Sequence, residues 1–526
     1  MITKLSLRID VIFLTFIFLG ITSCRSTETD QTLQTGQSAL VNVNLLETDY
    51  AGTTESNPQA SLKSGMGSKS NIVQRQQVML TPSSFIEVEL TPTLVVTSGA
   101  QASLGINTMA VISGTKLGNG VKYRIIAYRQ RDGAYKDSKD YTIGQPGQGL
   151  ILDMGEAYYL VLYSWGTSSL PIITSGEQTN INDAQVAYNN TNRDFMYQKI
   201  SYTPNNATGT VTATLRHKLA SIVTTVQSIN GNKVTAISNA ALSTHYTNGN
   251  FLLSTGGITG RTITANQPLT FSGFPSTIVN AAAVLINNNT NGSATGSFSA
   301  TISMNGLAKT ISLPNSFKIT PETQSTLKIN MRTCGAYTSP GVWKEFTCQN
   351  MGANTNLDPL TPAQMLHGSK YQWGANTNEP GRYYSQVNDQ SNSGNISGWI
   401  TTAKADGSWV DTSKTTADPC PSGYKVPTQA QWQGVINNNT ISRTGSWNDG
   451  GYGSVLYLGN YLMLPAAGYR NDSTGLLISR GTFGYYWAST SDTNPNAEVL
   501  SFGSSGTPAM NSFFRMNGFS VRCIAQ

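Results

Sequence analysis

The sequence predicts a mainly β protein: two tandem β-sandwiches followed by a disulfide-bonded α+β domain. Three observations carry this prediction. Between about Phe85 and Thr333, short alternating runs such as Phe85-Ile86-Glu87-Val88-Glu89-Leu90 and Lys122-Tyr123-Arg124-Ile125-Ile126-Ala127-Tyr128 recur about every ten residues, the spacing of sandwich strands. Turn signals separate them, among them Arg131-Asp132-Gly133-Ala134, Asn230-Gly231 and Asn291-Gly292. Cys334, Cys348, Cys420 and Cys523 all fall in the last third or so of the 526 residues, where the patterning becomes irregular and rich in glycine and aromatic residues. Charged residues make up 12% of the chain, against about 25% in ordinary soluble domains, and Ser, Thr, Asn and Gly dominate. That is the profile of an exported β protein. The formal charge of +6 is spread without a basic run, so the sequence offers no footprint for a nucleic-acid partner.

The beginning of the chain sets the compartment. Lys4 and Arg8 precede the apolar run Val11 to Leu19, and Gly20-Ile21-Thr22-Ser23-Cys24 follows. This is the order of a signal peptide, residues 1–23. The run is shorter than the roughly 20 apolar residues of a membrane span. The segment around Cys24 resembles a bacterial lipobox. The resemblance implies a thiol that is acylated, becomes the new N-terminus and ties the protein to the outer membrane. Residues 24–82 are rich in Ser, Thr, Gln and Gly with short apolar patches such as Ala39 to Leu46, and read as a tether or a cleavable leader. Lys63, Lys69 and Arg75 offer cleavage sites to a trypsin-like protease.

Two sandwiches are expected, over 83–205 and 206–333, with the boundary near Asp194 to Thr208. Four blocks in this stretch are recognisable: Gly120-Val121-Lys122-Tyr123-Arg124-Ile125-Ile126-Ala127-Tyr128, Gly155-Glu156-Ala157-Tyr158-Tyr159-Leu160-Val161-Leu162-Tyr163-Ser164, Asp194-Phe195-Met196-Tyr197 and Leu215-Arg216-His217-Lys218-Leu219-Ala220. In order and spacing they resemble the fimbrillin-like proteins of Bacteroidetes. The resemblance implies a lipoprotein with tandem sandwiches that serves as pilus subunit, anchor or tip. It also implies assembly with other fimbrial subunits by donor-strand addition after an N-terminal strand is removed, a mechanism that needs an open sheet edge.

Residues 334–526 form a different domain. Four cysteines in an oxidising compartment allow three connectivities, and adjacent pairing, Cys334 with Cys348 and Cys420 with Cys523, is the expected one. A metal site is disfavoured because no CxxC spacing or His cluster accompanies them. The ordered blocks Val342-Trp343-Lys344-Glu345-Phe346-Thr347-Cys348, Tyr371-Gln372-Trp373-Gly374, Asp418-Pro419-Cys420-Pro421-Ser422-Gly423-Tyr424, Gly484-Tyr485-Tyr486-Trp487-Ala488-Ser489 and Asn517-Gly518-Phe519-Ser520-Val521-Arg522-Cys523 resemble the Fibrobacter succinogenes major paralogous domain. The resemblance covers essentially the whole segment and implies a C-type-lectin-like fold. Thr428 and Gln431 have the spacing of a capping box, predicting a helix from there to about Asn437.

No GxSxG, HExxH or phosphate-cradling motif stands out, and the histidines are only His217, His245 and His367. We therefore expect a non-enzyme without cofactor or metal. His217 is expected to be structural. A link to formylglycine-generating enzymes would need free thiols, which the expected disulfides remove. Trp447-Asn448-Asp449 echoes a lectin calcium triplet at the wrong position, and Glu379-Pro380 is followed by Gly381 rather than Asn. For recognition of a glycan or protein, aromatics on irregular loops are the natural candidates: Trp373, Tyr383, Tyr384, Trp399, Trp409 and Trp447. Trp343, Trp432 and Trp487 are expected in the core. The function these readings imply is a fimbria-associated surface adhesin, a tip or accessory subunit whose C-terminal domain binds the ligand. The alternative is a surface lipoprotein that binds glycans or matrix and never polymerises.

Overall fold

The computed structural model describes residues 37–51, 73–93 and 115–526, apart from 192, 193, 230, 305 and 306. Along the chain come β1 (Ser38–Asp49), β2 (Gln74–Thr81), β3 (Ser84–Pro92), β4 (Lys122–Arg129), β5 (Tyr135–Thr142), β6 (Leu150–Asp153), β7 (Tyr158–Ser164), β8 (Gln185–Asn189), β9 (Met196–Tyr202) and β10 (Thr208–His217). They are followed by β11 (Ala220–Ser228), β12 (Val234–Tyr246), β13 (Asn248–Leu252), β14 (Ile258–Thr259), β15 (Thr264–Pro268), β16 (Phe271–Ser272), β17 (Ile278–Ala281), β18 (Val284–Ile286), β19 (Gly296–Met304), β20 (Leu307–Phe317) and β21 (Gln324–Thr333). The chain is mainly β, as its patterning predicts.

The first sheet has the spatial order β5-β4-β7-β9-β10-β1-β6. Its two ends come together through side chains. Lys136 Nζ on β5 reaches Asp153 at the end of β6 at 2.7 Å, and Asp137 Oδ2 accepts the Ile151 N–H at 2.9 Å. The curled inner face encloses Val41, Val43, Ile125, Leu160, Leu162, Val211 and Leu215. The opposite face of β4 and β7 presents Ile126, Tyr128, Val161 and Tyr163, which pack with Val186, Tyr188 and Phe251 of a small β14-β13-β8 sheet. Burial on both faces explains why β4 and β7 read as nearly continuous apolar runs.

The second unit is a sandwich. One sheet runs β16-β17-β11-β21-β3-β2, with β18 also paired to β11, and the other runs β15-β12-β19-β20. Ile86, Val88, Ile222, Val226, Leu242, Phe298, Ile302 and Ile329 fill the space between them.

These pairings correct the expected organisation. The stretch taken as a tether contains two paired strands, β1 within the first sheet and β2 at the edge of the second unit's sheet. In β1 the alternation of Ala39, Val41 and Val43 points inward, each less than a tenth exposed, while Leu40 points out at 43%. β2 pairs with β3 through Gln74 to Thr81. The units also interleave in sequence: β2 and β3 belong to the second sandwich, whereas β10 lies in the first sheet. Alternation within a strand marks which face is buried, but the partner that buries it comes from far along the chain, and local patterning carries no signal for that choice.

The terminal region begins with the hairpin β22 (Gly335–Ser339) and β23 (Val342–Glu345), and contains the helices α1 (Gln386–Ser391) and α2 (Gln429–Asn438) among short strands. The capping box forms: Thr428 Oγ1 accepts the Gln431 N–H at 3.1 Å, and Gln431 Oε1 accepts the Thr428 N–H at 2.9 Å. α2 buries Trp432, Val435 and Ile436. A Cβ on Gly434 would lie 1.9 Å from the Thr338 carbonyl oxygen, so only glycine lets the helix backbone rest on β22. The disulfides join Cys334 to Cys348 and Cys420 to Cys523, as expected.

Several charges lie inside this region. Asp389 on α1, fully buried, accepts from Arg470 Nε at 2.8 Å and Arg480 Nη2 at 3.1 Å. Lys370 beside them is fully buried, and that burial lowers its ammonium to about 8. Burial, reinforced by the nearby Lys370 charge, holds the His367 imidazole down at about 3.

Two predictions follow from these features. Replacing both Cys420 and Cys523 by Ser frees a loop of 103 residues. Denaturant titration should then show a loss of about 4 to 5 kcal/mol in the terminal region, against about 3 kcal/mol for the shorter loop between Cys334 and Cys348. The second concerns acid. The unfolded imidazole takes up its proton near 6.5 and the folded His367 only near 3, so unfolding binds a proton between those values and stability falls as pH falls through that window. The loss attributable to this group is on the order of 5 kcal/mol across the full window, and His367→Gln should flatten that part of the stability profile against pH.

Candidate functional site

The turn between β2 and β3 enters the terminal region. Ser83 is fully buried there. Its carbonyl accepts the Cys334 N–H at 2.7 Å, and the Pro82 carbonyl accepts the Cys348 N–H at 2.7 Å. Ser83 Oγ donates to Glu345 Oε2 at 2.5 Å and accepts from Tyr424 Oη at 2.7 Å. Phe85 packs on the Cys334–Cys348 disulfide. Three cavities open around this junction. One of ≈ 490 Å³ is lined by Trp343 and Tyr461, with Thr333 at the end of β21. A second of ≈ 410 Å³ lies among Met79, Pro82, Met351 and Pro419, and a third of ≈ 400 Å³ among Arg75, Glu87, Arg332 and Asp358.

The aromatic residues picked out from the sequence are mostly placed elsewhere than on a surface. Trp373 and Trp409 are buried, with their rings 5.8 Å apart. Their indole N–H groups donate to the carbonyls of Ala488 and Ala417, each at 3.0 Å, and the Arg515 guanidinium lies 4.4 Å over the Trp373 ring. Trp399 is 8% exposed, with Gly518 and Gly475 packed against its ring. These three are core residues, which corrects their assignment as ligand contacts: each ring fills a space between loops that looks irregular in sequence. Tyr383 and Tyr384 are half-buried; Tyr383 packs on Tyr371, and the Arg470 guanidinium lies over Tyr384. Trp447 is half-buried against Phe502. Trp432 and Trp487 are in the core as expected. Trp343 is not: it is half-exposed and lines the largest of the junction cavities.

Arg75, expected in a cleavable leader, lies in the paired strand β2, with its guanidinium 3.3 Å from Glu89 and its side chain 66% exposed. Cys24, Lys63 and Lys69 fall outside the described residues. The three histidines are held in networks. His217 bonds Asp194 at 2.6 Å and Thr48 at 3.1 Å. His245 bonds Asn190 at 2.8 Å and accepts the Asn287 N–H at 3.1 Å, and His367 contacts the Tyr452 carbonyl at 3.4 Å. Glu379 is engaged by Lys404 at 2.8 Å.

The other notable feature is β1. It is an inner strand, parallel to β10 over Leu40–Asp49 and antiparallel to β6 over Ser38–Val41. Its far end is clasped. Asp49 takes both arms of Arg216 at 2.5 and 2.7 Å, Thr48 meets His217, and Tyr50 stacks on the His217 ring at 4.2 Å.

No family model matches the chain, and no curated protein matches it. Among solved structures, a candidate cell adhesion protein from Parabacteroides distasonis aligns over 46% of this chain and 87% of its own, at 8% identity and a TM-score of 0.30. A candidate cell adhesion protein from Bacteroides fragilis aligns over 56% and 97%, at 12% identity and a TM-score of 0.30. The fimbrial anchor protein of Porphyromonas gingivalis aligns over 36% and 73%, at 13% identity and a TM-score of 0.25. Likeness at this level carries no inference about function.

Proposed function

We propose that the chain is a fimbria-associated cell-surface adhesin, a tip or accessory subunit exported as a lipoprotein acylated at Cys24 and then clipped, whose terminal region binds a glycan or protein ligand. The observation that carries this reading is the place of β1. It sits between two strands, and residues 52–72, which include Lys63 and Lys69, lead from it to β2 in a different sheet. Cleavage in that stretch would leave β1 held by pairing and packing alone. A strand from another subunit with the same alternation could then take its place, satisfying the same backbone groups of β10 and β6. Processing is assigned to the N-terminal side of Gln74. Arg75 is a poor site, because cutting there requires unzipping the β2–β3 pairing.

The terminal region follows β21 directly, and its first residues grip the β2–β3 turn. That favours a subunit that caps an assembly over one that propagates it. The alternative reading, a surface lipoprotein that never polymerises, is favoured by the clasp of Asp49, Thr48 and Tyr50 on Arg216 and His217.

Mass spectrometry of the native surface protein separates the two. The fimbrial reading expects a new N-terminus between Lys63 and Gln74. An intact, acylated Cys24 would favour the alternative. Limited trypsin digestion of the folded protein should likewise release fragments beginning after Lys63 or Lys69, and none beginning after Arg75.

A further inference from the structure

The cleft beside the β22–β23 hairpin has a composition unlike the rest of the junction. Three aromatic rings meet there. Trp343 is edge-to-face with Tyr337 at 5.4 Å and with Tyr461 at 5.8 Å. None of the three is buried, and Tyr337 is 43% exposed. The cleft, ≈ 490 Å³, falls within the range of about 300–1,000 Å³ typical of small-ligand sites.

The remaining lining is made largely of amides and hydroxyls, including Asn232, Asn438, Thr440 and Asn460. Such groups both donate and accept hydrogen bonds, as a row of sugar hydroxyls requires. Glu345 supplies the one carboxylate, and no Lys, Arg or His is among the described residues lining the cleft. An anionic ligand would find no counter-charge there.

The walls are fixed before any ligand arrives. A Cβ on Gly335 would lie 2.4 Å from the Lys344 carbonyl and 2.6 Å from the Trp343 ring, so glycine at that position lets the indole lie across the hairpin. Asn439 at the end of α2 accepts the Tyr337 N–H at 3.1 Å and donates to the Tyr337 carbonyl at 2.8 Å. Glu345 is held by Ser83, and Tyr461 Oη donates to the Ile229 carbonyl at 3.3 Å. The Tyr337 backbone is thereby tied to α2, and the Tyr461 ring to the sandwich.

We propose that this cleft binds an uncharged saccharide, with a sugar ring stacked on Trp343 and its hydroxyls bonded to the surrounding amides and Glu345. The site deepens the reading of the terminal region as a binding head and rests on it. Aromatic faces take the apolar side of a sugar ring, while fixed polar groups select among its hydroxyls.

The test uses the full chain with immobilised neutral oligosaccharides of glucose, galactose, mannose and N-acetylglucosamine, alongside sialylated counterparts. A neutral glycan should bind. Trp343→Ala should weaken that binding about tenfold or more, Trp343→Phe should retain most of it, and Asn460→Ala should weaken it with an unchanged melting temperature. The site is overturned if no neutral glycan binds or if sialylated glycans are preferred. A neutral glycan that binds undiminished to Trp343→Ala contradicts this cleft and leaves the adhesin reading standing. A surface protein with an unprocessed N-terminus contradicts the fimbrial reading and leaves Trp343-dependent binding intact.

Discussion

Strand β1 fills a slot between β10 and β6, and the first unit depends on that pairing. Nine residue pairs join it to β10 and four to β6. Without it, both neighbours would expose buried backbone donors and acceptors, each costly to leave unmet. Ala39, Val41 and Val43 would also leave the inner core open. The curl of the sheet that brings Lys136 to Asp153 presupposes the strand. A slot this demanding holds its own strand firmly, and it would also hold any other strand that matched it. In the proposed exchange, the clasp of Asp49 on Arg216 is the contact that an incoming strand would have to displace.

The β2–β3 hairpin is the second structural member. β3 is paired along its whole length with β21, from Ser84 opposite Thr333 to Pro92 opposite Ser325, while its turn is buried among Cys334, Cys348, Glu345 and Tyr424. The sandwich and the terminal region therefore share an element, and β21 adds covalent continuity into Cys334. A binding head on such a mount would pass a pulling load into a sheet through many parallel bonds. The aromatic cleft lies at the same mount, bordered by Asn232 and Thr333 from the sandwich and by Trp343 and Tyr461 from the terminal region.

Much of this was legible in the sequence where the signal is local. The run Lys122 to Tyr128, read as a strand, is β4, Thr428 and Gln431 marked the start of α2, and adjacent pairing of the cysteines is the pairing found. The interleaving was not legible, because β1 and β10 are about 160 residues apart and nothing in either names the other. β1 was read as part of a tether for a related reason: a 12-residue alternation between polar stretches looks weak until a partner strand buries it. The aromatic residues misled because loop position was taken as exposure. Trp373, Trp399 and Trp409 lie in segments with little regular structure that nonetheless wrap a core, whereas Trp343, inside a regular hairpin, is half-exposed and lines a cleft. The signal that could have found it is Gly335, whose lack of a side chain makes room for the indole across the strand pair.

The replaceability of β1 is the central claim, and strand exchange measures it directly. The protein, cut between β1 and β2 and kept folded, is offered a labelled peptide with the sequence of Ser38–Asp49, beside a second peptide carrying Val41→Asp. The account predicts uptake of one labelled peptide per chain with release of the original strand, and no uptake of the substituted one. A cut protein that keeps its fold yet never exchanges the strand would contradict it.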